Sequence, residues 1–418
     1  MSSLSSLDSK PIINCQICAS NQLESVLFLG YVPPVNSMPS IEDAPTTELR
    51  FPLEMLQCKN CGLAQIGYEV DQRILFPHSY PYLSGSTRIL RDNFKELANE
   101  TCKVLDMQAQ DLVIDIGAND GTLLKPYKEL NFNVLGIEPS QAADVGMSQG
   151  IPMLKTYFNE SSAKEAVQQY GHAKVVTAAN VFAHIANVHE IVEAIKILMR
   201  PEGLFISESH YLLPLIETLQ YDTIYHEHLR YYSLNALIKL FEAHDMEVIR
   251  VKQIPTHGGS IRVYTARKGT YPVDTSVHEQ LALEAKAGIT DGSALRDFNS
   301  RVKKSKIDLL RLVCELKQAG AKIYGVGAPS RASTLINYVG LDETLVDCVM
   351  EISSSHKINK FIPGTRVPVL DEAKLYEDQP EFALFYSWHI ANELADIIRG
   401  KGFKGKFIVP LPTPKIFE

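Results

Sequence analysis

Short apolar runs alternate with longer amphipathic segments through the middle of the chain. Runs of strand length occupy residues 112–116, 133–137, 173–178 and 203–207, and helix-like segments separate them. Alternating strands and helices are typical of a parallel, doubly wound sheet with helices on both faces. The pattern therefore predicts an α/β domain here, preceded by a helix over residues 87–105.

The same alternation begins again in the last third of the chain. A strongly helical and charged stretch covers about residues 277–320, and a strand with a Gly-x-Gly turn starts at Ala321. Further strand-length runs follow at residues 345–350 and 382–386. We therefore expect a second α/β domain, although the two domains show no convincing repeat at the level of residues.

Length and charge limit the possible classes of protein. At 418 residues the chain exceeds the ~250–300 residues of a single core, and we divide it at residues 1–72, 73–275 and 276–418. No run approaches the ~20 apolar residues of a membrane span, and the N-terminus lacks the features of a secretory signal. The formal net charge of −8 argues against nucleic-acid or membrane-surface binding. A cytoplasmic enzyme is the simplest expectation.

Four of the seven cysteines form two Cys-x-x-Cys pairs, Cys15/Cys18 and Cys58/Cys61. Four thiolates are enough to close a tetrahedral structural zinc site, which leaves no open position for catalysis. The alternative is coincidental cysteines or a redox pair. The 39 residues between the pairs contain several prolines and predict an ordered excursion rather than a compact hairpin.

A glycine-bearing turn follows the first strand of the middle domain. Asp115, Gly117 and Gly121 form the pattern D-x-G-x-x-x-G, with Asn119 inside it. Glycines let main-chain N–H groups approach a nucleoside closely, and Glu138 at the end of the second strand can accept hydrogen bonds from ribose hydroxyls. An ordinary strand-turn-helix with a solvated glutamate is the alternative.

Two polar segments lie where side chains at strand ends would converge. Asn180 to His184 follows the strand at residues 173–178, at the carboxyl edge where open α/β sheets bind ligands. The block at residues 221–233 contains Tyr225, His226, Glu227 and His228. A neutral imidazole is a suitable base for a carbon acid at neutral pH, and a solvated charged turn is the alternative.

Two more loops are candidates for ligand contacts. In one, His257-Gly-Gly-Ser260 allows close backbone approach, and Arg262 on the following strand is a phosphate contact or an ordinary strand charge. In the other, the Gly-x-Gly turn after residue 321 leads into a helix start with Ser330, Arg331 and Ser333. Helix N–H groups, hydroxyls and a guanidinium would suit a diphosphate.

In this order along the chain, the motifs resemble those of the sugar C-methyltransferases. These are zinc-containing, S-adenosylmethionine-dependent enzymes that act on nucleotide-linked 4-keto-deoxysugars. The resemblance runs from Cys15 to the terminal Val409-Pro-Leu-Pro. It implies a zinc-binding N-terminal domain, a central Rossmann-like class I methyltransferase sheet, and a C-terminal α/β domain that helps to hold the nucleotide-sugar. It leaves open whether the protein is a monomer or a homodimer.

The resemblance also implies roles for individual residues. His228 would be the general base, supported by Tyr225 and Glu227. His184 and a tyrosine of the early loop, residues 76–86, would line the same site. Tyr82 is our first choice for that tyrosine and Tyr80 the second. The remaining expected positions are grouped by ligand: S-adenosylmethionine at Asp115, Gly117, Asn119, Gly121, Glu138 and Asn180; the nucleotide-sugar at His257, Ser260, Arg262, Ser330, Arg331, Ser333, Asn337 and Tyr338.

The sequence departs from this family in the C-terminal domain. The family commonly has an Asp-containing segment with a proline and a lysine after the second strand, where this chain has the sequence of residues 350–357. Two alternatives to carbon methylation follow from the residues alone. One is methylation of a sugar oxygen or nitrogen on the same sheet, and the other is a non-catalytic protein that binds nucleotide-sugars.

Overall fold

A computed structural model describes residues 8–44, 47–76, 85 and 88–418 of the chain. Three main sheets organise these residues: a four-stranded sheet near the N-terminus and two seven-stranded sheets after it. The predicted architecture of a small N-terminal domain followed by two α/β domains is therefore confirmed. In the part of the chain that is described, no helix is both long and apolar enough to cross a membrane.

The N-terminal domain is built around an antiparallel pair of strands. Its elements are β1 (Lys10–Pro11), β2 (Leu23–Val32), β3 (Phe51–Cys58), β4 (Ala64–Ile66), β5 (Tyr68–Glu69) and α1 (Gln72–Leu75). Leu23 pairs with Cys58, and this register brings both cysteine pairs to the same end of the hairpin. The sequence predicted an excursion rather than a hairpin, and this is wrong for β2 and β3, which pair as an antiparallel hairpin. Only the connection that follows β2 is an excursion.

The central domain contains a mixed sheet of seven strands. Its elements are α2 (Arg88–Val104), β6 (Leu112–Ile116), α3 (Leu124–Glu129), β7 (Asn133–Ile137), α4 (Ala142–Ser148), β8 (Met153–Leu154), α5 (Glu160–Tyr170), β9 (Ala173–Ala179), α6 (Val188–Leu198), β10 (Met199–His210), α7 (Leu212–Glu217), β11 (Arg230–Tyr231), α8 (Leu234–Glu242), β12 (Met246–Ile254) and β13 (Ser260–Arg267). The strand order is β12-β13-β10-β9-β6-β7-β8, and β13 runs antiparallel to both neighbours. All five residues of β6 are buried, as expected for a strand that is covered on both faces.

The C-terminal domain repeats the doubly wound plan. Its elements are α9 (Thr275–Lys286), α10 (Ser293–Gln318), β14 (Ile323–Val326), α11 (Ser330–Val339), β15 (Cys348–Glu351), β16 (Lys360–Phe361), β17 (Pro368–Asp371), α12 (Ala373–Asp378), β18 (Phe382–Phe385), α13 (Ala391–Gly400), β19 (Lys406–Val409) and β20 (Lys415–Phe417). Strands β17, β15, β14, β18 and β19 are parallel, and the order reverses between β14 and β18. Ligands of such sheets bind in the crevice at this reversal.

One strand joins the N-terminal domain to the middle of the chain. β11 pairs with β4 through Arg230 and Gln65, so it covers an edge that would otherwise expose unpaired main-chain groups. The fully buried Arg230 side chain donates to Gln16 of the first cysteine pair and to the carbonyl of Ile185. The N-terminal domain with its four paired cysteines, called the zinc-type domain below, is therefore fixed to the loops that follow β9 and α7.

Candidate active site

The four paired cysteines converge at one end of the N-terminal hairpin. Their Sγ atoms all lie within 4.8 Å of one another. The separation between Sγ atoms is 3.4 Å for Cys15 and Cys61 and 3.5 Å for Cys18 and Cys58. Tetrahedral Zn–S bonds of ~2.3 Å would place sulfurs about 3.8 Å apart, so the cluster fits a four-thiolate zinc ion. The fit supports a structural site that is separate from the reacting groups.

The glycine turn after β6 is the segment that the sequence predicts to cradle a nucleoside. Gly117 has φ +67°, and its N–H donates to the Ile137 carbonyl at 2.8 Å. A Cβ at Gly117 would lie 2.4 Å from Val181, on the loop after β9. Any other residue would therefore push apart the two loops that flank the reversal in strand order.

Glu138 closes this cradle from the end of β7. Its carboxylate accepts the N–H of Asn119 at 3.0 Å and the N–H of Ser140 at 2.9 Å. Each bond uses a different oxygen, and a carboxylate oxygen can accept two hydrogen bonds. Both oxygens can therefore still accept ribose hydroxyls, which fits the expected S-adenosylmethionine.

Asp115 lies beneath the turn. Only 3% exposed, it accepts the Thr177 hydroxyl at 2.6 Å. Burial, reinforced by the charge of Glu138, raises the pKa of Asp115 to about 8. Asp120, which we did not predict, accepts the N–H of Gly85 at 2.9 Å and so connects that residue to the turn. Asp115 therefore supports the turn from inside, whereas Asp120 holds Gly85.

Replacing Glu138 by glutamine should weaken cofactor binding about tenfold or more. A charged acceptor of two hydroxyls would be lost, and hydrogen bonds to charged groups contribute ~1.5–3 kcal/mol each. Calorimetric titration with S-adenosylhomocysteine measures this change. The exposed Glu129→Gln at the end of α3 is the matched control and should bind as the wild type does. Equal affinity in both variants would remove Glu138 from the cofactor site.

A single loop connects the cofactor cradle to the catalytic candidates. It begins with Asn180, which has φ +58° and donates its N–H to the Glu208 carbonyl. Val181 then packs against Gly117, and His184 reaches the polar block four residues after Asn180. The loop therefore places the nucleoside turn and the histidines on opposite sides of the same cleft.

Three half-buried imidazoles and a tyrosine meet at this cleft. Ring centroids are 4.8 Å apart for His184 and His228, and 6.1 Å apart for His210 and His228. The Tyr225 ring lies 4.2 Å from that of His228. The structure thus brings together three of the predicted residues and adds His210, the last residue of β10.

Hydrogen bonds fix which ring nitrogens carry protons. His228 Nδ1 lies 3.1 Å from the Thr223 carbonyl, which can only accept. His184 Nδ1 lies 2.6 Å from the Glu227 carbonyl. Both rings therefore carry the proton on Nδ1 and keep the lone pair on Nε2. Burial and the nearby His184 and His210 hold the pKa of His228 well below its usual value, which leaves the ring neutral, with Nε2 able to accept a proton.

Acid should destabilise the fold between about pH 6.5 and pH 4. Burial lowers the pKa of His184 and His226 from 6.5 to about 4, so the unfolded chain takes up these protons first as pH falls. Each such histidine removes ~1.4 kcal/mol of stability per pH unit across that window. Urea unfolding at pH 7 and pH 5 measures the loss. The loss should be smaller in His226→Asn and unchanged in the exposed His172→Asn; an unchanged loss in His226→Asn would contradict the assignment.

The C-terminal domain forms a second turn with the same hydrogen-bonding plan. Gly327 has φ +77°, and its N–H donates to the Met350 carbonyl at 2.8 Å. The N–H of Ala328 donates to Glu351 Oε1 at 2.6 Å. Glu351 is the last residue of β15, and Glu138 directly follows β7, so the two glutamates lie at corresponding strand ends. The Lys357 ammonium donates to the Ala328 carbonyl of this turn at 2.6 Å. The main-chain geometry of the turn is therefore suited to a second nucleoside.

Arg331 lies where this second turn faces the central domain. Its Nη1 lies 3.1 Å from His389 Nδ1, its Nη2 3.4 Å from Gln220, and its Nε 3.7 Å from Asp222. The His257 and His389 side chains are exposed within the same region. A guanidinium beside exposed imidazoles at a helix start suits an anionic group.

Arg262 lies elsewhere, and we correct its predicted role. Its guanidinium is fully buried under α2 and donates to Glu208 at 2.7 Å, to Glu100 at 2.7 Å and to Asn93 at 2.9 Å. Its donors are therefore used within the chain, because a buried guanidinium needs paired carboxylates. The strand alternation did not reveal this, since the partners come from distant elements.

Several other predicted substrate contacts hold loops and helices together. The Ser260 hydroxyl donates to the Thr256 carbonyl, and the Asn337 amide donates to the carbonyls of Ser333 and Pro363. The Tyr338 ring lies under the Lys306 ammonium at 4.5 Å. These contacts are structural and do not support direct substrate contacts. Tyr80 and Tyr82 lie outside the described residues.

Sequence reasoning missed further residues of the cleft. They are Asn36, His210, Gln220, Asp222, Glu351, Lys357, Trp388 and His389. Two of these residues, His210 and Glu351, could have been found from the sequence. The strand predicted at residues 203–207 extends to His210, and Glu351 occupies the position in the second sheet that Glu138 occupies in the first.

Comparisons with known proteins cover nearly the whole chain. Residues 15–76 match a family described as "Putative zinc binding domain", residues 86–251 match a methyltransferase domain, and residues 255–412 match a C-methyltransferase C-terminal domain. The C-methyltransferase NovU of Streptomyces niveus is 30% identical over 414 residues, which is 98% of each chain.

Solved structures resemble the chain only in part. The plantazolicin methyltransferase BpumL is 13% identical with a TM-score of 0.37, over 46% of this chain and 90% of its own. A methyltransferase from Anabaena variabilis is 15% identical with a TM-score of 0.36, over 46% of this chain and 89% of its own. The family assignment depends instead on the full-length relative and the three matched domains. The chain therefore belongs to the family of S-adenosylmethionine-dependent C-methyltransferases.

Proposed function

We propose that the protein methylates C3 of a nucleotide-linked 4-keto-deoxysugar, with His228 as the base. The observation that carries the proposal is the state of His228: a neutral imidazole, half-buried beside two others, with its proton held on Nδ1 by the Thr223 carbonyl. Such a ring presents an unprotonated Nε2 that can accept a proton. A base of this kind is needed to form a carbon nucleophile, whereas an oxygen or nitrogen acceptor already has a lone pair.

The chemistry follows from the acidity that a ketone confers on its neighbour. The C4 carbonyl acidifies the C3 proton, and His228 Nε2 takes that proton to leave an enolate and an imidazolium. S-adenosylmethionine, when bound, supplies the electrophilic methyl group. The C3–CH3 bond would form as the methyl–sulfur bond of the sulfonium breaks, which restores the ketone and leaves S-adenosylhomocysteine, and His228 then releases its proton to solvent.

Tyr225 is the better candidate for stabilising the enolate oxygen. Its ring lies 4.2 Å from that of His228, and its hydroxyl can donate a hydrogen bond. His184 keeps its proton on Nδ1, against the Glu227 carbonyl, so its Nε2 has none to donate. Loss of one such donor typically costs ~3 kcal/mol in the transition state.

The C-terminal turn supports a nucleotide at the other end of the substrate. Glu351 is placed to accept hydroxyls of a nucleoside, as Glu138 is in the first sheet. Arg331 and the exposed His389 supply a cationic and polar surface for a diphosphate. The family resemblance assigns the same task to this domain.

Solvent exchange tests the proposal directly. The enzyme is incubated in deuterated buffer with nucleotide-linked 4-keto-deoxysugars, without S-adenosylmethionine, and deuterium at C3 is followed by NMR. We expect exchange at C3, and no exchange with the matching sugar that has a 4-hydroxyl group instead of the ketone. Formation of a methylated sugar without any exchange would overturn the proposal.

A further inference from the structure

The excursion after β2 crosses from the zinc-type domain to the C-terminal domain. The N–H of Ile41 donates to the Asn359 carbonyl at 3.0 Å, and the N–H of Phe361 donates to the Pro39 carbonyl at 2.8 Å. Before this contact the chain passes through Val35, which is buried. The segment that contains Asn36 is therefore held at both ends.

The Asn36 side chain connects two parts of the cleft. Its Nδ2 donates to Glu227 Oε1 at 2.7 Å, and its Oδ1 accepts the hydroxyl of Ser330 at 3.2 Å. The orientation of the amide follows from chemistry, because a carboxylate acceptor requires the nitrogen on its side. One neutral side chain thus links the start of α11 to the block that contains His228.

The Glu227 side chain is buried near a cation. The residue is 3% exposed, and its carboxylate interacts with the charge of Lys357 on the C-terminal domain. Among the residues that the structure describes, the neutral ring of His184 donates to the Glu227 carbonyl, and His228 is its neighbour in the chain. Asn36 donates to Glu227 without adding charge, and a hydrogen bond to the ionised form of a carboxyl favours that form.

We propose that Asn36 is a positioning residue that holds the Glu227 carboxylate ionised and fixes its position relative to His228. The inference rests on the proposed function for the role of Glu227, and on the two hydrogen bonds of Asn36 for the mechanism. It gives the zinc-type domain a task in the reaction, since that domain carries the segment. No other residue of the segment need touch the substrate.

The pH dependence of kcat in the variant Asn36→Asp tests the inference. Its side chain has almost the same shape, and when protonated it still donates to Glu227. Once both carboxyls are ionised, two like charges stand within hydrogen-bond distance, so the pair retains one proton to a higher pH. We expect kcat close to that of the wild type at pH 6 and about tenfold lower at pH 9, with binding of S-adenosylhomocysteine unchanged.

Two further variants separate positioning from a general loss of structure. Asn36→Ala should lower kcat to a similar extent at every pH, because it removes the donor without adding a charge. Ser37→Ala changes the exposed neighbour on the same segment and should match the wild type. A pH profile of Asn36→Asp parallel to that of the wild type would overturn the inference.

A second measurement does not depend on the substrate. In protein labelled with 13C at the glutamate carboxyl, the Glu227 signal is identified by its absence in Glu227→Gln. Asn36→Asp should raise the pKa of that signal, and Ser37→Ala should not. An unchanged titration overturns the role of Asn36, whereas a raised pKa in an enzyme that exchanges no keto-sugar overturns the proposed function alone.

Discussion

Replacing His228 by asparagine should lower deuterium exchange at C3 and methyl transfer by at least ~10²-fold. The variant removes the only atom that the proposed reaction uses as a base, while binding of S-adenosylhomocysteine should persist because the cradle at Glu138 is separate. Exchange is followed by NMR, and methyl transfer by the S-adenosylhomocysteine released.

His226→Asn is the matched control. His226 is also buried, two residues earlier, but its Nε2 lies 3.2 Å from the Pro52 carbonyl in the zinc-type domain. We expect exchange at the wild-type rate in this variant. Equal losses in the two variants would indicate a general disturbance of the block and would contradict the role of His228 as base.

Removing the metal should unfold the N-terminal domain and abolish activity. Replacing Cys58 by serine leaves three thiolates, and zinc binding to such small domains contributes on the order of 10 kcal/mol to folding. The expected results are loss of bound zinc by elemental analysis, a lower melting temperature, and loss of methyl transfer because Asn36 is no longer held against Glu227.

Cys102→Ser provides the comparison, because Cys102 lies on α2 outside the thiolate cluster. This variant should keep its zinc and its melting temperature. Full activity of Cys58→Ser after chelation would contradict both the structural role of the metal and the coupling of the two domains.

Local patterns predicted the fold well, and they located the glycine turn that is the candidate for cofactor binding. The strands at residues 112–116 and 133–137 match β6 and β7, because each is short, apolar and bounded by turn residues. The glycine turn was recognisable for a similar reason: Gly117 and Glu138 act through main-chain bonds to their immediate surroundings. The paired cysteines needed only their spacing.

The residues that the sequence did not reveal depend on contacts between distant elements. Arg262 looked like a phosphate ligand, but it is neutralised by carboxylates of α2 and β10 that no local pattern connects to it. Asn36 has an ordinary neighbourhood in sequence and gains its position only when the excursion docks on the C-terminal domain. Such residues become recognisable only once the domains are assembled.

The pairing of β11 with β4 sets a rule for building hybrid enzymes from this family. A donor segment that ends near residue 72 would bring the cysteine hairpin without the strand that completes its sheet, and without Arg230 to bind Gln16. Transplants of the metal-binding end should therefore carry residues 225–232 of the same parent as well. Two segments that are far apart in the sequence must therefore be exchanged together.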